Sequence, residues 1–157
     1  MNAADLHALG TPALWVLTFV IALVSGLIPF VLNIELYVLA VAAFTNASPT
    51  AIVGLTTAGQ MLAKYILYLA GQGALNVKWI KRSAMSKASE AFAHRSGSAL
   101  TVVGVSSLTG IPPFYGVSLV AGTLRLPLVP FLVVGTIGRI VRFGACYLAP
   151  GLFRLLR

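Results

Sequence analysis

Acidic residues are nearly absent from this chain: Asp5, Glu35 and Glu90 are the three carboxylates in 157 residues, against 11 Lys and Arg. Charged residues of both signs make up 9% of the sequence, where ordinary globular proteins carry about 25%. So few charges cannot coat a water-facing surface. The formal net charge of +8 does not mark a nucleic-acid binder either. The basic residues sit in a few clusters between apolar runs, as in the short non-translocated loops of a membrane protein.

Cysteine is single, Cys146, which excludes an internal disulfide and leaves the side chain as a small apolar packing residue. His7 and His94 lie outside the apolar runs and complete no metal-ligand cluster. No nucleophile motif, P-loop or dinucleotide fingerprint occurs, so neither catalysis nor a cofactor is expected. Met1 to Thr11 contains Asp5 and His7 but no Lys or Arg. It lacks the basic start of a secretory signal, and the first apolar run is expected to belong to the mature fold.

What is abundant is apolar sequence, 59% of the chain. Its pattern is organised around Gly26 to Tyr37, G-L-I-P-F-V-L-N-I-E-L-Y, which sets a proline, a capping asparagine and a carboxylate inside a long apolar region. A second copy, G-I-P-P-F, runs from Gly110 to Phe114, with Gly26, Pro29 and Phe30 all recurring at one offset. The arms on either side of each break, such as Ala13 to Ser25 and Ile34 to Phe44, give about 16 to 24 Å of helix against a hydrocarbon core of about 30 Å. Neither arm spans alone, and a re-entrant hairpin with its tip at Pro29 to Asn33 fits best. Thr50 to Leu75 is long enough to cross, and Gly54, Ala58, Gly59 and Ala63 allow another helix, or a second copy in a homodimer, to approach. Leu128 to Leu148 is the second crossing.

Between the halves lies Asn76 to Ser98, with Lys78, Lys81, Arg82, Lys87 and Arg95 against Glu90. The positive-inside rule places it in the cytoplasm. Trp79, Ile80, Met85 and Phe92 there predict a solvated loop or an amphipathic helix on the headgroups. The expected fold is thus an all-α integral membrane protein: two re-entrant broken-helix hairpins plus spanning helices arranged as an inverted repeat. One transmembrane domain covers 1–157, with half-repeats at 12–75 and 99–157. Paired Pro/Gly-interrupted segments of this kind mark the midplane sites of secondary transporters.

Asn33 is placed to cap the second arm, with Glu35 in its first turn, where the helix dipole favours a carboxylate. Within a bilayer that carboxylate points to substrate or proton coupling, with a structural ion pair as the alternative. The arms starting after Pro29 and after Pro112 and Pro113 present first-turn N–H donors suited to a phosphate headgroup. Arg139 and Arg142, one helical turn apart and too deep to snorkel, either neutralise Glu35 or receive a phosphate. Lys64 and Gln60 could line the same cavity, and Arg125 beside Pro127 serves as an interfacial anchor or meets headgroups.

Three runs resemble the DedA family, also called VTT or SNARE-associated membrane proteins: P-F-x-x-N-x-E-L at Pro29 to Leu36, A-G-x-L-R-x-P-x-x-x-F from Ala121 to Phe131, and G-R-x-x-R-F at Gly138 to Phe143. The last resembles the short YqaA-like branch. The resemblance implies facing hairpins in a bacterial inner membrane and movement of lipids between leaflets. It implies undecaprenyl phosphate or phospholipid substrates and proton or sodium coupling. Where family members often carry an earlier acid, this chain has Ser25 and Gly26, so the carboxylate role carries over only to Glu35. Many members place arginines around the second hairpin's proline, where Thr109 to Phe114 has none, leaving Arg125, Arg139 or Arg142 to supply positive charge. A membrane scaffold and a proton-coupled small-solute transporter remain the alternatives.

Overall fold

The computed structural model describes residues 3–28, 33–45, 47–73 and 99–155. Those residues form six helices and no strand: α1 (Ala3–Leu27), α2 (Ile34–Phe44), α3 (Pro49–Gly71), α4 (Ala99–Thr109), α5 (Phe114–Thr123) and α6 (Leu128–Leu155). The first three helices have 25, 11 and 23 residues and the last three 11, 10 and 28, so two short helices followed by a long one occur in the second half alone. Pro29 and the basic stretch Asn76 to Ser98 lie outside the described residues.

Each break has a local cause. Asn33 ends the first one as N-cap of α2, its Oδ1 accepting from Glu35 N at 3.0 Å and Leu36 N at 3.4 Å. Gly110 ends α4 at φ +79°, a conformation a side chain disfavours, with its N–H donating to Ser106 O at 2.8 Å. Pro49 opens α3 at a position where a missing N–H costs nothing. One expectation needs correcting. The first helix does not begin at Ala13 but runs back through Pro12 to Ala3, because Ala3, Ala4, Leu6, Ala8 and Leu9 favour helix strongly enough to outweigh one lost backbone bond.

Length and hydropathy together set two helices apart from the rest, since the apolar part of α1, Pro12–Leu27, is shorter than the whole helix. α3, with 23 residues, and the stretch Leu128–Gly151 of α6, with 24, are long and apolar enough to cross a membrane. α2 and α4 have 11 residues each and α5 has 10, about 15 to 17 Å, roughly half that depth.

The chain divides into two compact units that do not follow its two halves: residues 1–60 with 143–157, and Met61–Arg142. In the first unit Ala22, Ile34, Val38 and Phe143 form the core. Thr18 Oγ1 and Tyr37 OH lie 2.7 Å apart and join α1 to α2. α3 lies tightly on α1 at Gly59, where a Cβ would stand 2.6 Å from Phe19 O.

In the second unit Met61, Tyr68, Val102, Val103, Phe114, Val117, Val120, Ala121 and Phe131 form the core. Tyr68 stacks on Phe131 with centroids 5.3 Å apart, and Met61 reaches Gly135, so α3 and α6 run antiparallel here. Gly71 and Gly122 bring α3 and α5 together so closely that a Cβ on either would overlap a backbone carbonyl, that of Leu119 or Tyr68. The small residues singled out in the sequence are only partly the ones in use. Gly59 is in close contact, whereas Gly54 has nothing within 4 Å of a Cβ position.

Candidate functional site

The second unit sets the link between α4 and α5 beside the middle of α6. Gly135 lies against Phe114, Gly138 against Ser107, and Arg142 Nη1 donates to Leu108 O at 2.8 Å. Arg142 is about 21 Å along a helix of about 42 Å. The link itself is held by Ser106 Oγ, which donates to Pro112 O at 2.6 Å, and by Thr109 Oγ1, which accepts from Ile111 N at 3.1 Å. The Ile111–Pro112 peptide is cis.

α5 starts at this depth. Its N-cap is Pro113, which makes no side-chain cap hydrogen bond. α2 differs. Its Asn33 side chain accepts from Glu35 N and Leu36 N, so those two first-turn donors are already taken.

Two cations converge on the first residue of α5. The Arg139 guanidinium stands 4.9 Å from the Phe114 ring centroid, and Lys64 Nζ stands 6.0 Å from it, within cation–π range. Both are nearly inaccessible, Lys64 at 2% and Arg139 at 7% exposure. Phe114 in turn packs on Phe131 with centroids 6.1 Å apart, and Ser118 Oγ donates to Phe114 O at 2.7 Å. The described residues of this unit contain no Asp or Glu. A helix start and two buried cations make this a place where a negative group gains electrostatic stabilisation.

Arg142 has a different setting. Its guanidinium lies about the last turn of α4, on the Leu108 carbonyl and 3.0 Å from where a Gly110 Cβ would be, complementing that helix end. Gln60 is committed to α1 in the first unit, its Nε2 donating to Ala22 O at 3.0 Å and Ser25 Oγ at 3.2 Å. Glu35 is half-buried in the first turn of α2, also in the first unit. Arg125 is exposed at the α5–α6 link.

The sequence left three groups unassigned. Phe114, the platform for both cations, was visible as the aromatic that recurs in both break motifs, but only the fold reveals what it faces. Ser106 and Ser118 hold the link and the first turn of α5. Thr56 and Thr57 in α3 are buried with hydroxyls that have no hydrogen-bond partner among the described residues. Comparison with models of known protein families, with curated proteins and with solved structures gives no match for this chain.

Proposed function

We propose that this protein is an integral membrane lipid transporter that moves lipids with anionic phosphate headgroups between leaflets and performs no chemistry on them. The carrying observation is the placement of buried Lys64 and Arg139 on Phe114, at the start of a half-length helix. A headgroup phosphate entering there meets the N–H groups of α5 and two cations. Its tails stay along outward-facing apolar surface.

Membrane embedding is supported by that surface. Val129, Val133, Ile137, Ile140, Val141 and Leu148 are all exposed along α6, as are Trp15, Val16, Leu17, Val20 and Val24 along α1. A water-soluble protein rarely exposes continuous apolar stripes of this size. α3 and α6 then cross in opposite directions, and α4 with α5 enters to half depth and returns. The inverted repeat, the DedA resemblance, the bacterial inner membrane and a cytoplasmic basic segment 76–98 complete the proposal.

The test is headgroup transfer between leaflets in proteoliposomes containing the full-length chain. Lys64→Gln and Arg139→Gln are expected to abolish transfer of a phosphate-bearing lipid while the protein remains folded. Transfer at the wild-type rate by both folded variants removes the site.

A further inference from the structure

Arg125 adopts φ +51°, in the left-handed region. The hydrogen bonds around it give the reason. α5 ends in a Schellman motif, with Leu126 N donating to Ala121 O at 3.0 Å and Arg125 N to Gly122 O at 2.9 Å. That puts Arg125 at the position after the helix cap that glycine usually fills, because a Cβ makes this conformation unfavourable. The next residue is fixed from outside the turn, since Tyr68 OH donates to Leu126 O and the Leu126 side chain packs on the core.

Among the described residues nothing holds the arginine side chain. Its guanidinium is exposed and makes no hydrogen bond or ion pair with them. An arginine at a position where the backbone favours glycine, and with no side-chain bond to the described residues, leaves its charge open to an external contact. Its neighbours state the kind of contact. Leu124 is 54% exposed and Val129 70%, so exposed aliphatic side chains flank the cation in the chain. Thr123 Oγ1 lies 3.1 Å from Gly71 O, so α3 and α5 end together here, and two helix C-termini favour positive charge. A cation at helix ends among exposed aliphatics matches the headgroup level of a bilayer, with the aliphatics in the acyl layer.

We propose that the α5–α6 link is a docking surface for an anionic lipid leaflet, and that Arg125 is its phosphate contact. The sequence that joins α3 to α4, residues 74–98, carries Lys78, Lys81, Arg82, Lys87 and Arg95 against Glu90, which favours the same leaflet. The proposal rests on membrane embedding and is independent of the anion site at Phe114.

The experiment is thermal unfolding of the full-length protein in neutral detergent, alone and with added phosphatidylglycerol, phosphatidylcholine or inorganic phosphate. Phosphatidylglycerol is expected to raise the wild-type midpoint, and the other two to leave it unchanged. Arg125→Gly is expected to melt roughly 2–4 °C above wild type without lipid, because glycine adopts the turn freely, and to lose most of the phosphatidylglycerol increment. Arg125→Lys keeps the larger part of it. Should Arg125→Gly fail to fold, Arg125→Gln must lose the increment instead. A full increment in the glycine or glutamine variant overturns the proposal, as does a glycine variant that melts below wild type. An equal increment from inorganic phosphate overturns the lipid assignment. Loss of headgroup transfer in Lys64→Gln leaves this increment intact, so the two sites fail separately.

Discussion

Arg139 of α6 and Phe114 of α5 meet where α5 begins: the guanidinium lies 4.9 Å from the ring centroid, at the first residue of that helix. The contact sets a buried cation at a helix start. A ring face supplies electrostatic stabilisation that does not compete with an incoming anion as a carboxylate does.

The pair is therefore expected to be energetically coupled. In a double-mutant cycle of Phe114→Leu and Arg139→Met, unfolding measurements should give a coupling of about 1 kcal/mol, within the range for a desolvated cation–π contact. Phe114→Tyr should retain most of it. A coupling indistinguishable from zero would mean that the two side chains are merely adjacent.

Arg142, one turn further along α6, should behave differently although the sequence presents the two arginines alike. Its bond to Leu108 O caps α4, so Arg142→Gln is expected to cost about 1–3 kcal/mol of stability. Transfer per folded molecule should persist. Arg139→Gln should show the opposite, with transfer lost and stability lowered less. Equal loss of transfer in both variants would merge the two roles.

These roles were only partly legible in the sequence. Gly110, Pro112 and Pro113 announce a break because glycine and proline act through their own backbone, and Asn33 announces a cap for the same reason. The two long helices were legible from run length. The division of work between Arg139 and Arg142 was not, since spacing places both on one face and only packing decides that one meets Phe114 and the other the end of α4. Helices that are apolar all round also hide their contact face. Gly54 and Gly59 look equivalent in the sequence, yet one is open and the other pressed on Phe19 O.

The Asn33 cap yields a local prediction. Asn33→Ala should destabilise α2 by about 1 kcal/mol, whereas Asn33→Asp should be nearly neutral, because aspartate offers the same acceptor. Hydrogen exchange at the Glu35 and Leu36 amides should accelerate in the alanine variant, since those donors lose Asn33 Oδ1. Unchanged exchange at both would mean that the cap is not held in the protein.

The glycines supply the sharpest contrast. At Gly122 an added Cβ would overlap the Tyr68 carbonyl, which is backbone and cannot rotate away, so α3 and α5 would have to separate. Gly122→Ala should cost about 1–3 kcal/mol, as overpacking does. Separation would also loosen the Thr123 contact with Gly71 O and draw Phe114 of α5 away from Lys64 of α3, so transfer should fall along with stability. Gly54 lies in the same long helix with nothing within 4 Å of its Cβ position, and Gly54→Ala should raise stability by about 0.5–1 kcal/mol through helix propensity alone. Unfolding in graded denaturant checks both variants. If they shift stability in the same direction, propensity and not the α3–α5 contact governs this helix, and the close approach that seats α5 beside Lys64 loses its support.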